Sequence, residues 1–461
     1  MSDKPKPSES ARSWHPYTPT KDAPWDLRRV VHLHRRAGFA ATWSEIQRDL
    51  KDGPAASIDR VLSGKSRLQG VPDDFEQTSS LLLDTAGDPG RLKAWWIYRM
   101  YFGPDPLAER LTLMWHNHFA TSAAKVRDLG FMRRQNELFR TLGRKRFGEL
   151  LDAVVHDPAV LLWLDAPANR KEHPNENLAR ELMELFTLGI GHYSEKDVKE
   201  GARALTGWTV AEGKFSEDAA QHDGSAKTIL GKSGPWKGSD FVRFVLDNPA
   251  TSERLAMRLC ELFMGEGAVD SSGLKTLAAG LREHDLDIGW GVETVLRSAA
   301  FFAERSIGKR ILGPVEFVVG SARALEMFEQ PPSTLLLADW AGRLGMELFY
   351  PPNVGGWTGG RAWINTQAMI GRANYAVALV EGHLSRRGEP FDPVALAKQN
   401  GRGGNLAELL AFYGQLLEGA APSSARCDRL RAALGSRASA TPTDARRAVA
   451  LLLAAPEYQL V

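Results

Sequence analysis

Residues 173–210, HPNENLARELMELFTLGIGHYSEKDVKEGARALTGWTV, decide the fold class. Leu178, Leu182 and Leu185 recur at three- and four-residue intervals, the spacing of one helix face. Asn175 is placed to cap that helix, with Glu176 near the positive end of its dipole. Gly189 supplies a C-terminal stop. Ser194 and Asp197 then make a capping-box pair, flanked by Tyr193 and Val198 as a hydrophobic staple, and open a second helix that ends near Gly207. The spacing predicts a helical hairpin.

The same periodicity continues on both sides. Residues 26–38 and 43–50 read as helices, as do residues 90–101, where Leu92, Trp95, Trp96 and Met100 share a face. Pro106 opens PLAERLTLMWHNHFAT, with Leu107, Leu111, Met114 and His118 on one stripe. Residues 251–264, 274–283, 290–300, 314–328 and 333–344 fit helices. The Gly/Pro/Trp-rich loop FYPPNVGGWTGGRAW (349–363) follows, then three further helices. The last is capped by Thr441, with Pro442 and Asp444 in its first turn. No alternating pattern runs over several strands. The expected fold is mostly α, a multi-helix globular array with long functional loops and little or no β. The expected division is a flexible N-terminal arm (1–24), a helical half (25–210), a long polar loop (211–240) and a second helical half (241–461).

The chain has 461 residues, 43% hydrophobic and 25% charged, which excludes a disordered or collagenous chain. Lys plus Arg is 58 and Asp plus Glu is 56, so the net charge of +2 gives no electrostatic reason to expect nucleic acid. Cys260 and Cys427 are the only cysteines, which excludes a disulfide framework and a zinc ribbon. No apolar run reaches the roughly 20 residues of a membrane span. The N-terminus shows no apolar signal-peptide core, so the expected compartment is the cytoplasm.

Four motifs could carry chemistry. Trp115-His116-Asn117-His118-Phe119 offers two imidazoles as ligands or a general base, although residues two apart on a helix point in different directions. Glu181 and Glu184 share a helix face with Asn177, the way helix bundles build metal sites, and Arg180 could pair with Glu176 or Glu184. His222 and Asp223 stand together in the polar loop before Gly224. Trp357 and Trp363 flank a glycine-rich stretch and could form a stacking wall for a sugar. No nucleotide-binding, nucleophile-elbow or HExxH motif is present.

The residues HLHRRAGFAAT (32–42), WHNHF, the long motif ending ALTGW, HDGSAKTILG, GPVEFVVGSARAL, PPNVGGWTGGRAWIN and LLLAAPEYQL resemble a bacterial family known as domain of unknown function 1800. The resemblance runs from about residue 27 to the C-terminus. It implies a mostly helical single unit and no known reaction. It also implies recurrent polar positions at His116, His118, Asn175, Glu176, Asn177, Arg180, Glu181, Glu184, His222 and Asp223. Members are often encoded beside a family that resembles sulfatases and alkaline phosphatases. Many carry an export signal, which this N-terminus lacks.

The leading expectation is an enzyme with a His/carboxylate site binding zinc, iron or manganese, hydrolytic or oxidative in type. His118, Glu184 and His222 would be catalytic. His116, His118, Glu181, Glu184, His222 and Asp223 would supply metal ligands, and Arg180, Asn177, Trp357 and Trp363 would contact substrate. One alternative is a non-catalytic helical partner of the sulfatase-like protein. Another is carbohydrate binding through the Trp-rich loop.

Overall fold

The computed structural model describes residues 14–64, 72–82, 87–435 and 439–461. The protein is mostly α, and the strands among the described residues form only two small two-stranded sheets. The predicted hairpin is present. The Asn175 side chain accepts the Asn177 N–H at 2.9 Å, and helix Asn177–Glu181 follows. The Ser194/Asp197 capping box opens helix Glu195–Ala204. At the C-terminus Thr441 caps Pro442–Ala454 as expected.

Residues 211–240 are not one long loop. Trp208–Ala211 pairs with Lys214–Glu217, and Lys227–Ile229 with Lys232–Gly234, both antiparallel. Each hairpin turns through two residues with positive φ, Glu212-Gly213 and Leu230-Gly231. That is the primed-turn geometry that matches strand twist. Residues 14–24 are not a free arm either. The Trp14 indole donates to the Gly273 carbonyl at 2.9 Å, and the Tyr17 ring packs on Trp25 and Phe302. Residues 1–13 of the expected arm lie outside the described residues. After the Trp loop the described residues form five α-helices rather than three: Thr366–Val380, Pro393–Gln399, Leu406–Glu418, Ser424–Leu434 and Pro442–Ala454.

Two hydrophobic cores form, and they do not divide at residues 211–240. Most apolar residues between Leu107 and Phe302 make one core. The other joins helices Trp43–Ser63 and Pro89–Phe102 to the chain from Leu312 to Val461. Helix Pro106–His118 lies between the two. Leu111 and Trp115 belong to one core and Leu113 to the other.

Asn117 clamps the Trp loop to this helix. Its Oδ1 accepts the Trp357 N–H at 2.7 Å, and its Nδ2 donates to the Trp357 carbonyl at 3.3 Å. Gly356 (φ +74°) lies so close that an added Cβ would collide with Asn117. Asn117→Ala should therefore cost about 1–3 kcal/mol by leaving the Trp357 backbone groups without partners. Gly356→Ala should cost a similar amount. In a double-mutant cycle read by urea denaturation the two losses should be less than additive, because both release one contact. Full additivity would show that the clamp does not hold the loop.

Candidate functional site

The two motif histidines face opposite cores. His116 Nε2 accepts the Phe349 N–H at 3.2 Å, and its ring packs against Trp96, Phe349 and Trp357. Burial pushes its pKa down to about 3, so it is neutral. His118 Nε2 donates to the Phe186 carbonyl at 3.0 Å, among Trp115, Phe119 and Phe147. Burial, then the charges of Arg258 and Arg254, hold it well below the ordinary imidazole value.

The carboxylate helix changes character after Glu181. Residues Leu182–Thr187 form a π-helix, the Leu188 N–H reaches back to the Met183 carbonyl, and the Thr187 hydroxyl donates to the Leu182 carbonyl. Such segments recur at functional sites. Glu184 is half-buried and accepts a 2.5 Å hydrogen bond from the Tyr193 hydroxyl. Glu181 is 8% exposed and has no hydrogen-bond partner among the described residues. Burial, then the charge of Glu184, pushes its pKa up to about 7. Arg180 pairs with Glu176 at 3.0 Å and Glu195 at 2.8 Å rather than with Glu184. Asn177 donates to Asp165 at 3.2 Å.

His222 and Asp223 are tied into the hairpin region. His222 Nδ1 donates to the Thr206 carbonyl at 3.0 Å. Asp223 Oδ2 accepts from Arg203 at 2.7 Å, and Oδ1 accepts the Ser225 N–H at 2.9 Å. Burial works to raise the Asp223 pKa, but the hydrogen bonds from Arg203 and Ser225 outweigh it and hold the carboxyl well below the usual range. Trp357 is buried and Trp363 half-buried, so the two indoles do not form a solvent-facing wall.

The WHNHF motif meets the carboxylate helix at His118 and Phe186. Among the described residues no group of three or more His, Cys, Asp or Glu side chains comes together in a way that could hold a metal ion. His118 is bonded to the Phe186 carbonyl, in the segment that carries Glu184, and His116 to the Phe349 N–H. The residues present do not fit the zinc, iron or manganese centre that the motifs suggested.

The structure instead assembles a site around His34, in the last turn of helix Leu27–Ala37. A Thr42/Glu45 capping box starts the next helix, Trp43–Ser63, and turns it back so that Asp49 meets His34. His34 Nε2 lies 2.6 Å from Asp49 Oδ2. Asp49 is fully buried, and its Oδ1 accepts from Arg48 at 3.1 Å and from Arg60. Gly53 (φ +83°) kinks the helix ahead of Pro54, and beyond that kink Arg60 reaches back to Asp49. Burial works to raise the Asp49 pKa. The hydrogen bond from His34, with the charges of Arg48 and Arg60, overcomes it and leaves the carboxyl ionised.

His34 Nδ1 has no hydrogen-bond partner among the described residues. His34 lines a cavity of about 30 Å³ with Glu45, Arg48, Arg60, Arg323 and Pro106. The sequence reading missed this dyad, because its members are 15 residues apart on different helices and no local spacing links them. The one signal was His34 itself, inside HLHRRAG.

The model of the family described as protein of unknown function (DUF1800) matches residues 32–460, and the chain belongs to that family. Comparison with curated proteins and with solved structures finds no match. Among the described residues no helix is long and apolar enough to cross a membrane.

Two outcomes follow from this geometry. Elemental analysis of chain purified without chelator should find no stoichiometric zinc, iron or manganese. Stoichiometric metal that disappears in Glu181→Gln would overturn the ligand assignment. Separately, Glu181 has a raised pKa in the folded state, so its ionisation opposes folding as pH rises from about 4.5 to 7. Glu181→Gln should raise stability by about 1 kcal/mol at pH 8, after allowance for solvent screening, and by little at pH 5. Urea midpoints at the two pH values check this, and an equal effect at both would refute it.

Proposed function

We propose that this DUF1800 member is a hydrolase in which the His34–Asp49 dyad activates water. One observation carries the reading: a buried, ionised Asp49 holds Nε2 of His34, a residue that lines a cavity and whose Nδ1 has no hydrogen-bond partner among the described residues. A carboxylate on one ring nitrogen fixes the tautomer and stabilises the imidazolium that forms when the other nitrogen takes a proton. The dyad contains the elements of general base catalysis within hydrogen-bond reach of each other.

In the proposed step, Nδ1 removes a proton from water as the water oxygen bonds to an acyl carbon. The carbonyl π electrons move onto its oxygen. Collapse of that tetrahedral species breaks the bond to the leaving group, which receives the proton back from Nδ1. Asp49 remains ionised throughout. The reacting end of a substrate would enter the cavity that His34 lines. Arg48 and Arg323 line it and supply donors for the developing oxyanion. The alternative of a non-catalytic partner for a sulfatase-like protein gives no reason for an imidazole with one nitrogen left free on a cavity.

A panel of short-chain chromogenic esters tests the reading. The wild type should hydrolyse at least one, with an acid limb in its pH–rate profile. His34→Gln should reduce kcat/KM by about 10²–10⁴-fold while its melting temperature stays close to wild type. A folded His34→Gln variant with unchanged turnover would remove His34 from the chemistry.

A further inference from the structure

After the π-helical segment, residues 188–192 form a loop that borders a groove with helices Pro249–Phe263 and Ser271–Glu283. The groove, of about 380 Å³, falls in the size range of small-molecule sites. It shares no lining residue with the cavity beside His34. Part of its wall is apolar. Ile190 stands between Gly189 (φ +82°) and Gly191 (φ +93°) and is 81% exposed, the most of any large apolar residue described. Met257 and Leu274, one from each helix, are half-buried and line the groove with it.

The same groove carries cations that the fold leaves unpaired. Arg254 Nε donates to the Leu185 carbonyl at 2.8 Å, which ties the guanidinium to the π-helical segment. Its Nη1 and Nη2 have no hydrogen-bond acceptor among the described residues. Nη1 lies 3.5 Å from where a Cβ on Gly189 would stand, beside the loop wall of the groove. Neighbouring charge does not compensate this cation. Burial, then the charge of Arg258, lowers the Arg254 pKa, against a weaker pull from Glu261 and Glu184. Lys275, from the other helix, is exposed on the groove and has no ion pair among the described residues. Glu253 is the one carboxylate on the wall, so two cations face a single anion.

A guanidinium held by Nε alone keeps its planar pair of Nη donors for an incoming anion. The apolar groups beside it gain by covering aliphatic surface. A bare inorganic anion satisfies only the first need, and an uncharged chain only the second. We infer that this groove binds an amphiphilic anion, with its head group on Arg254 and Lys275 and its aliphatic chain against Ile190, Met257 and Leu274. A carboxylate and a phosphate head share the chemistry that the arginine recognises. The inference is independent of the hydrolase reading, which concerns the other cavity.

Octanoate and octyl phosphate are the probes, each titrated below its micelle concentration into the full chain and followed by calorimetry. Acetate and octanol are the controls. At least one probe should saturate a single site, and the tighter of the two identifies the head group. Acetate lacks the chain and octanol the charge, so each should bind more weakly by about tenfold or more. Arg254→Gln should weaken the better probe about tenfold or more, and Lys275→Gln and Ile190→Ser each about threefold or more. Arg254 is bonded to the π-helical segment, so its variant is read only where its unfolding temperature shows a native fold. Lys275 and Ile190 are exposed and carry the test otherwise. His34→Gln should bind the probe as the wild type does. No saturable binding of either probe, octanol binding as tightly as the better probe, or folded Arg254→Gln and Lys275→Gln variants that bind as the wild type does would each overturn the proposal. Loss of binding in His34→Gln would overturn it as well, by placing the ligand in the other cavity.

Discussion

One helix, Pro106–His118, faces two hydrophobic cores at once, and the rest of the fold depends on that. Successive residues on an α-helix are about 100° apart, so His116 and His118 point in nearly opposite directions. His116 reaches the Phe349 backbone in one core and His118 the Phe186 backbone in the other. Asn117, between them, holds both backbone groups of Trp357. Three consecutive polar residues thus join the π-helical segment, the Trp loop and the dividing helix. Imidazole suits the outer two positions because it packs as a ring, satisfies a buried backbone group and remains uncharged once desolvated.

A second set of polar contacts crosses the same seam. Glu316 receives Arg310 and Arg110, and the Gly313 N–H at 2.7 Å. Arg36 donates to the carbonyls of Met264 and Ser306 at 3.2 and 2.8 Å. Burial drives the Arg110 pKa down to about 10 despite its ion pair with Glu316. Removing Glu316 would leave buried guanidiniums uncompensated, a loss of about 3–5 kcal/mol in comparable pairs. The network also holds the helix that carries His34. Arg35 donates to the carbonyls of Tyr458 and Leu460, and Arg36 to the second core, so the helix end that carries His34 is held from two sides.

The hairpin of residues 177–204 was legible because each signal was local: apolar spacing, the Asn175 cap and the Ser194/Asp197 box. The opposed directions of His116 and His118 were legible for the same reason, since helix geometry alone sets them. The small sheets were not. Their strands have three or four residues, too few to show alternation, and Glu-Gly and Leu-Gly turns lack the usual Asn-Gly signature. The partition into cores was hidden because helix Pro89–Phe102 packs with helix Thr334–Arg343, far along the chain. The His34–Asp49 pair was hidden too. No local rule says which residue of the helix after Thr42 will meet the helix before it.

The histidines of the conspicuous WHNHF motif and His34 sit in contrasting surroundings. Basicity in a protein interior depends on what stabilises the imidazolium. His118 donates to a neutral carbonyl and has Arg254 and Arg258 nearby, so protonation would add a desolvated cation beside two others. His116 has only an N–H donor at Nε2 and aromatic neighbours, and burial opposes its charge unrelieved. His34 alone of the three faces an ionised carboxylate, so a proton arriving at Nδ1 creates a cation that Asp49 already compensates. Burial holds His116 and His118 neutral, whereas His34 has an ionised carboxylate 2.6 Å from its Nε2.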